Sequence, residues 1–286
     1  MNDFLKKRVF SISKKIPDKL YLQLVYRYMM KQKLPLKKPI TFNEKLQWLK
    51  LYDKNSIYSI LVDKVAVRDY ISKNFDENLL FPLLGVWKNP NEINYDELPN
   101  QFVLKCNHDS GSVIVCRDKE KLDKEYVKRY FDERLKREYF YYWRERPYKY
   151  VEPKILAEKY MADEHGELTD YKFMCFDGYV DNVMVCVDRH TGNTKFYFFN
   201  KDWQLKKYNK SSLSLPDDFK IEKPALMDEM FEIASRLSKG FPFVRIDLYC
   251  VNNKIYFGEY TFYPQGGYDA NILPEADIAL GNLIKI

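Results

Sequence analysis

Histidine is scarce in this chain, with three in 286 residues, and no Ser-His-Asp pattern surrounds them. That argues against a triad-type hydrolase. The five cysteines (106, 116, 175, 186 and 250) are odd in number, widely spaced and set in apolar runs. No CxxC or Cys/His ligand spacing occurs, which excludes a zinc site and a disulfide framework. They read as small buried hydrophobes in a reducing compartment. No run approaches ~18 consecutive apolar residues, so no membrane-spanning helix is expected. The first residues lack the apolar core of a secretory leader. The phosphate-loop pattern GxxxxGK[ST] is missing, as are internal repeats, low-complexity tracts and nucleic-acid-binding motifs.

Aromatic residues are plentiful at 16%, with 24 tyrosines, which argues for packed sheet and against disorder. The net charge of +6 is unevenly spread. Residues 1–50 hold 13 Lys and Arg against 3 Asp and Glu, a balance of +10; the remaining 34 against 38 give −4. The basic excess therefore lies in an N-terminal arm, which suits an anionic partner. Residues 2–16 and 18–33 read as helices broken at Pro17. Two helices packed on the main body account for them; an interfacial pair on anionic membrane is the sharper alternative.

Thr41 with Glu44 three residues later is a capping box opening a helix. A helix over Asp63–Lys73 puts Lys64 and Arg68 on one face, where spacing favours solvated charges. Leu79–Val86, Phe102–Lys105, Val113–Cys116 and Lys154–Met161 read as strands, and Lys119–Tyr142 as one long charged helix. Asp177-Gly178 joins Asp170–Phe176 to Tyr179–Val187 as a hairpin, with Thr194–Phe199 as a third strand. Pro224 opens a helix ending at Gly240, and a short helix begins near Glu275. Helices flanking antiparallel strands, without regular βαβ alternation, indicate an α+β fold.

The stretch Phe243–Tyr268 carries the chemistry. Arg245 to Cys250 and Ile255 to Phe262 alternate with period two, as half-buried strands do. A two-residue loop at Asn252-Asn253 would set Asp247 opposite Gly258 and turn Glu259 to the other face. A three-residue loop, Asn252–Lys254, sets Asp247 opposite Glu259 and Arg245 opposite Thr261. The second register is expected, because it gathers the polar groups on one face. Two carboxylates and an arginine there suit a divalent cation holding polyphosphate; a surface hairpin with a cross-strand ion pair would look the same.

Lys105 ends a strand before the loop Asn107–Ser112 (NHDSGS). A lysine there can reach a phosphate, while Ser110, Gly111 and Ser112 supply hydroxyls and open amides. An ordinary surface hairpin, with His108 exposed, uses the same residues. Glu158 to Met161 ends a strand that can offer backbone groups to a base edge. Asp170 and Lys172 share a strand face, which suits ribose and phosphate contacts.

In this order the pieces resemble the ATP-grasp enzymes. FVLKCNHDSGSVIV is similar to their phosphate-covering loop, ILAEKYM to their adenine-side hinge, and RIDLYC with IYFGEYT to their metal-binding strands. ITFNEKLQWLKLYD, VDKVAVRDYI, YKFMCFDG and FGEYTFYPQGGY together resemble the TupA-like ATP-grasp family of surface-polysaccharide biosynthesis. The resemblance runs from about Ile40 to the C-terminus. It implies two α+β subdomains clamping ATP, read here as 41–157 and 158–286, after a basic helical arm over 1–40. It implies that Lys105 and Lys172 contact phosphate or nucleotide, that Ser110–Ser112 close over the phosphates, and that Glu158 and Tyr160 meet adenine. Asp170 joins the nucleotide set. Asp247 and Glu259, with Thr261, would hold Mg²⁺, and Arg245 with Lys105 would steady the transferred phosphoryl group.

Two features depart from the family pattern. Thr261 stands where many relatives have Asn, and the usual N-terminal domain is replaced by the short arm. The function implied is an ATP-dependent ligase joining a sugar-acid or glycan carboxylate to an amine through an acyl phosphate. Gly266-Gly267 would let the acceptor approach the backbone closely. A glycan kinase, a nucleotide-sugar glycosyltransferase and a non-catalytic scaffold are the alternatives. A cytosolic chain is expected, peripheral to anionic membrane or lipid-linked glycan where the arm docks.

Overall fold

A computed structural model describes residues 13–162, 168–187, 194–216 and 218–286. The chain divides into two compact units, one of Met1–Lys54 with Glu167–Ile286, the other of Asn55–Gly166. These boundaries differ from the 40/41 and 157/158 of the sequence reading. The mixed α+β class is as expected. The helix proposed over 2–16 lies largely outside the described residues.

In the Asn55–Gly166 unit, α3 (Ile57–Val62) and α4 (Ala66–Asn74) precede β1 (Leu83–Trp87), β2 (Phe102–Cys106), β3 (Val113–Cys116) and β4 (Ile155–Lys159). The strands form one antiparallel sheet in the order β1-β4-β2-β3. Phe102, Leu104, Cys106, Ile155 and Ala157 alternate onto one face. There they meet Val127 and Phe131 of α5 (Lys124–Arg134) in a closed core. The opposite face carries Val103 and Lys105 of β2 and Glu158 of β4, so this sheet has one apolar and one chemical side.

Two sequence expectations fail in this unit. The long helix over Lys119–Tyr142 is instead a 3₁₀ turn (Lys119–Lys121), α5, and a short α6 (Phe140–Trp143). Asp118 accepts from the Glu120 amide and Asp123 from the Tyr126 amide, so each aspartate caps a separate start. The strand placed over Leu79–Val86 starts at Leu83, because Asp76 caps a 3₁₀ turn through Leu79.

In the other unit, α1 (Asp18–Met30) and α2 (Phe42–Tyr52) come first, with the capping box of Thr41 and Glu44 in place. Then follow β5 (Asp170–Phe176), β6 (Tyr179–Val187), β7 (Lys195–Phe199), β8 (Leu205–Lys206), α7 (Met227–Leu237), β9 (Val244–Val251), β10 (Lys254–Thr261) and α8 (Pro274–Leu283). The sheet order is β10-β9-β5-β6-β7-β8, antiparallel throughout. The Asp177-Gly178 hairpin has both residues at positive φ, as a two-residue turn of this handedness needs. α7 buries Met227, Met230, Phe231, Ile233, Ala234 and Leu237. Phe231 meets Phe173 edge-on at 5.1 Å, so the odd-numbered β5 side chains face α7 and the even-numbered ones face away.

Phe131 is fully buried between α5 and its sheet. Phe131→Ala should therefore cost about 3–5 kcal/mol, read as a lower urea midpoint of the full chain. A shift under about 1 kcal/mol would mean that α5 does not close this core.

Candidate active site

The hairpin of β9 and β10 pairs Asp247 with Glu259 and Arg245 with Thr261, as expected. The route to that register is different. Val251 pairs with Lys254, so the loop is only Asn252-Asn253, both at positive φ. A two-residue loop alone would set Gly258 opposite Asp247. A β-bulge between Phe257 and Glu259 adds one residue and returns Glu259 to the Asp247 face. Glycine is required there: a Cβ on Gly258 would lie 2.7 Å from the Tyr249 ring and 2.9 Å from the Asp247 carbonyl oxygen.

β5 completes the row, since Lys172 is the β5 partner of Asp247. Asp247 is 1% exposed. Its Oδ1 accepts from Arg245 Nε at 2.6 Å, and its Oδ2 accepts from Arg245 Nη2 at 2.7 Å and from Lys172 Nζ. Arg245 Nη2 also donates to Glu259 Oε1 at 3.2 Å and to Thr261 Oγ1 at 3.0 Å; Thr261 Oγ1 donates to Glu259 Oε1 at 2.9 Å. Asp170 stands 3.7 Å from Lys172 Nζ and opposite Tyr249. Three carboxylates thus face two cations, a formal −1 on a buried sheet face.

The pKa directions follow. Burial pulls the Lys172 ammonium down, and Asp247, with help from Asp170 and Glu259, more than offsets it, leaving the pKa raised. Burial likewise opposes charge on Arg245, and Asp247 outweighs it. Burial, then the Asp170 charge, holds the Tyr249 phenol well above its usual range. Both cations stay charged at neutral pH.

This donor set fits a magnesium ion. Asp247, Glu259 and Thr261 are hard oxygen donors on adjacent strands, and Mg²⁺ is commonly held by one or two carboxylates with phosphate oxygens completing the shell. No group of three or more His, Cys, Asp and Glu side chains among the described residues is arranged to hold a metal.

In the Asn55–Gly166 unit, Lys105 Nζ donates to Glu158 Oε2 at 2.7 Å, and Arg68 Nη1 to Glu158 Oε1 at 3.1 Å. Arg68 Nη2 also reaches the Phe81 carbonyl at 2.6 Å. Arg68 is thus a partly buried partner of Glu158, not part of a solvated helix face. Its partner lies on a strand ninety positions away, which helical spacing cannot reveal. Lys64 likewise turns inward and donates to the Asp109 carbonyl at 2.6 Å. Around the Lys105–Glu158 pair, register sets exposed Val113 and Val115 beside Lys105 and Val103. Charge bordered by open apolar surface suits a nucleotide base and its phosphates.

The NHDSGS loop is only partly a flap. Ser110 and Gly111 are exposed, with Gly111 at φ +84°. Asn107, His108, Asp109 and Ser112 are buried, and Ser112 Oγ donates to Asp109 Oδ2. His108, expected at the surface, is 3% exposed, and burial holds its pKa below the usual value. Asn107 explains the inward turn: its side chain donates to Asp63 and the Glu152 carbonyl and accepts from the Lys154 amide. Tyr160 is half-buried, with the Arg117 guanidinium 5.8 Å from its ring.

A TupA-like ATP-grasp family model matches residues 44–285, most of the chain. The chain belongs to the TupA-like ATP-grasp family. No curated protein sequence matches it. Among solved structures it is similar to D-alanine–D-alanine ligase from Bacillus anthracis complexed with ATP. That match has 16% identity and TM-score 0.47, over 79% of this chain and 65% of the ligase. It is also similar to the ATP-grasp ligase PsnB complexed with a phosphomimetic variant of its minimal precursor, Mg and ADP. Here identity is 10% and TM-score 0.44, over 85% of this chain and 66% of PsnB. A RimK-domain ATP-grasp protein from Sphaerobacter thermophilus matches at 12% identity and TM-score 0.42, over 79% and 69%. The chain thus spans about two thirds of the length of these proteins.

Gly258→Ala should lower thermal stability, by about 1–3 kcal/mol if the strands yield, because the new methyl meets backbone and ring. An unchanged melting temperature would show that the bulge does not need glycine.

Proposed function

We propose that this protein is an ATP-dependent carboxylate–amine ligase acting on a sugar-acid or glycan carboxylate in surface-polysaccharide assembly. The observation that carries it is the Lys172–Asp247–Glu259 row with Arg245 bridging it, on strands whose motifs belong to the ATP-grasp family. The carboxylate oxygen attacks the γ-phosphorus of ATP, and ADP leaves. The amine nitrogen then attacks the acyl carbon, phosphate leaves, and the amine's proton passes to solvent. A carboxylate nucleophile needs no strong base, which suits a buried face whose acids are paired with cations.

Bound Mg²⁺ supplies charge neutralisation at the phosphates, and Asp247, Glu259 and Thr261 would hold it. Arg245 is the group that offsets charge on the transferred phosphoryl. Lys172 and Lys105 bind phosphate. Ser110 and Gly111, the exposed part of the loop, cover it, while Ser112 is turned inward to Asp109; Glu158, Tyr160 and Asp170 position the nucleoside.

Glu259→Gln is the cleaner probe of this site. Asp247 is buried between two partly buried cations, so its removal risks the fold, by up to about 3–5 kcal/mol for breaking a buried pair. The Glu259 side chain is 37% exposed. Glu259→Gln should lower Mg²⁺-dependent ADP release at least tenfold with an unchanged melting temperature. The assay is ATP with glucuronate or galacturonate and a panel of amino acids. Amine-independent formation of a stable phosphorylated glycan would replace the ligase with a kinase.

The basic arm supports a peripheral membrane placement. On α1, Leu22 and Tyr26 are buried, while Leu20, Leu24 and Tyr28 lie outward at four-residue spacing, 48%, 52% and 73% exposed. Lys19, Arg27 and Lys31 surround them, with Lys31 Nζ 4.7 Å over the Tyr28 ring. No helix among the described residues is long and apolar enough to cross a membrane. An apolar strip ringed by cations instead suits lying on an anionic surface, each cation contributing on the order of 1 kcal/mol. Leu24→Glu should cut co-sedimentation with phosphatidylglycerol vesicles without changing the melting temperature. Equal sedimentation of the variant and the parent chain would remove this face from the account.

A further inference from the structure

The loop Asn107–Ser112 has an exposed tip, Ser110 and Gly111, on a buried base. Three polar atoms in that base have no hydrogen-bond partner: Nδ1 and Nε2 of His108 and Oδ1 of Asp109. His108 is 3% exposed and Asp109 1%. An imidazole always carries at least one N–H donor, and a buried donor is seldom left unused. Here neither ring nitrogen is used. The Arg134 carbonyl at the end of α5 lies toward the ring without closing a hydrogen bond.

The groups around the ring are already committed. Asp63 Oδ1 accepts from the Asn107 side chain at 2.8 Å and from the Val65 amide at 2.8 Å. Lys64 Nζ donates to the Asp109 carbonyl at 2.6 Å, and the Lys64 amide donates to the Asn107 carbonyl at 3.3 Å. Asp109 Oδ2 accepts from Ser112 Oγ and, at 3.4 Å, from Arg137 Nη1. The charged groups facing His108 are therefore Asp109 in the loop, Asp63 and Lys64 just ahead of α4, Arg134 ending α5, and Arg137 beyond it. Three cations meet two carboxylates. Cys106, at the end of β2, adds no charge at neutral pH, because burial pushes its thiol up to about 12. An imidazolium would bring two buried N–H donors and a fourth positive charge to this place.

We infer that His108 is a positioning residue of the phosphate-covering loop: its neutral imidazole keeps 107–112 in place, and a proton taken up there opens the loop and frees the nucleotide. In an open loop His108 binds its proton at about 6.5. In the buried loop desolvation lowers that value, more than Asp109 raises it. Opening therefore takes up a proton, and is favoured, as the pH falls below about 6.5. Asp109 works the other way. Burial raises its pKa, so its own protonation favours the buried loop and sets in on the acid side. The inference rests on the ligase reading only for what the loop covers; the latch itself rests on the unpartnered ring and the groups around it.

The test uses the full chain in two measurements between about pH 7.5 and 5.5. The first is hydrogen exchange of the Cys106 and Asn107 amides, which bond to the Ser112 and Lys154 carbonyls. It is expressed as protection, so that the intrinsic effect of pH cancels. Protection should fall about tenfold over this range in the parent chain and stay level in His108→Leu, with β9 unchanged in both. The second is release of a fluorescent ADP analogue from its Mg²⁺ complex, which should speed up about tenfold in the parent and not in the variant. Titration of the analogue's own phosphates is common to both proteins and drops out of the comparison. His108→Gln, which keeps polarity without titrating, takes the place of His108→Leu where that variant does not fold. The same pH response in parent and variant overturns the inference. So does slower release at low pH, which would put the imidazolium on the phosphates instead. If the parent binds no nucleotide, the ligase reading fails, and the exchange measurement decides the latch alone.

Discussion

Asp247 is the constraint on which the chemical face of the larger sheet depends. It is almost wholly buried and engages Arg245 through both oxygens and Lys172 through one. Without it Lys172 would keep only Asp170 at 3.7 Å and Arg245 only Glu259 and Thr261, so each cation would lose its shortest partner in a poorly solvated place. Pairing also fixes where the cations point. Arg245 is drawn across β9 to β10, where its second Nη2 contacts are Glu259 and Thr261. The row is thus held in shape by its own charges, a preorganised arrangement of fixed dipoles and ions. It also carries a formal excess of one negative charge, which favours a cation over a further anion.

The same row shows what sequence could and could not say. Period-two alternation identified β9 and β10, and the wish to keep polar groups together chose the right pair, Asp247 with Glu259. It chose the wrong turn. Asn252 and Asn253 both accept positive φ, so the tighter loop is available to them. The missing residue is taken up at Gly258, where only a glycine fits against Tyr249. A bulge leaves no periodic trace, because it is the place where period two is broken once. Gly258 inside a strand was the available signal.

Elsewhere, legibility tracked how local the cause was. The Asp177-Gly178 hairpin and the capping box at Thr41 depend on neighbours within four residues and were readable. The interruption of the helix over Lys119–Tyr142 was also local, yet two aspartate caps five residues apart were hidden inside a convincing helical run. Arg68, His108 and Lys64 were misread as surface residues. Their partners, Glu158, the loop core and the Asp109 carbonyl, come from tertiary pairing that spacing does not encode.

The polar face of α2 extends this point. Asn43, Gln47 and Lys50 would mark a solvated stripe on an isolated helix, and their neighbours Phe42, Leu46 and Leu49 would mark the core. Both faces are in fact buried. A helix buried on its polar side needs partners for its polar groups, and most of these are backbone carbonyls and amides, with Asp277 the side-chain partner of Asn43. Backbone groups can be gripped at any residue type, so nothing in the identity of Gly266 or Asp269 announces the pairing. What does announce it is geometry that the loop would not adopt alone. Of three left-handed residues in succession, Gln265, Gly266 and Gly267, the last two have their carbonyls held by α2 and the first accepts from the Tyr268 amide, and their position just beyond Thr261 ties that grip to the carboxylate row.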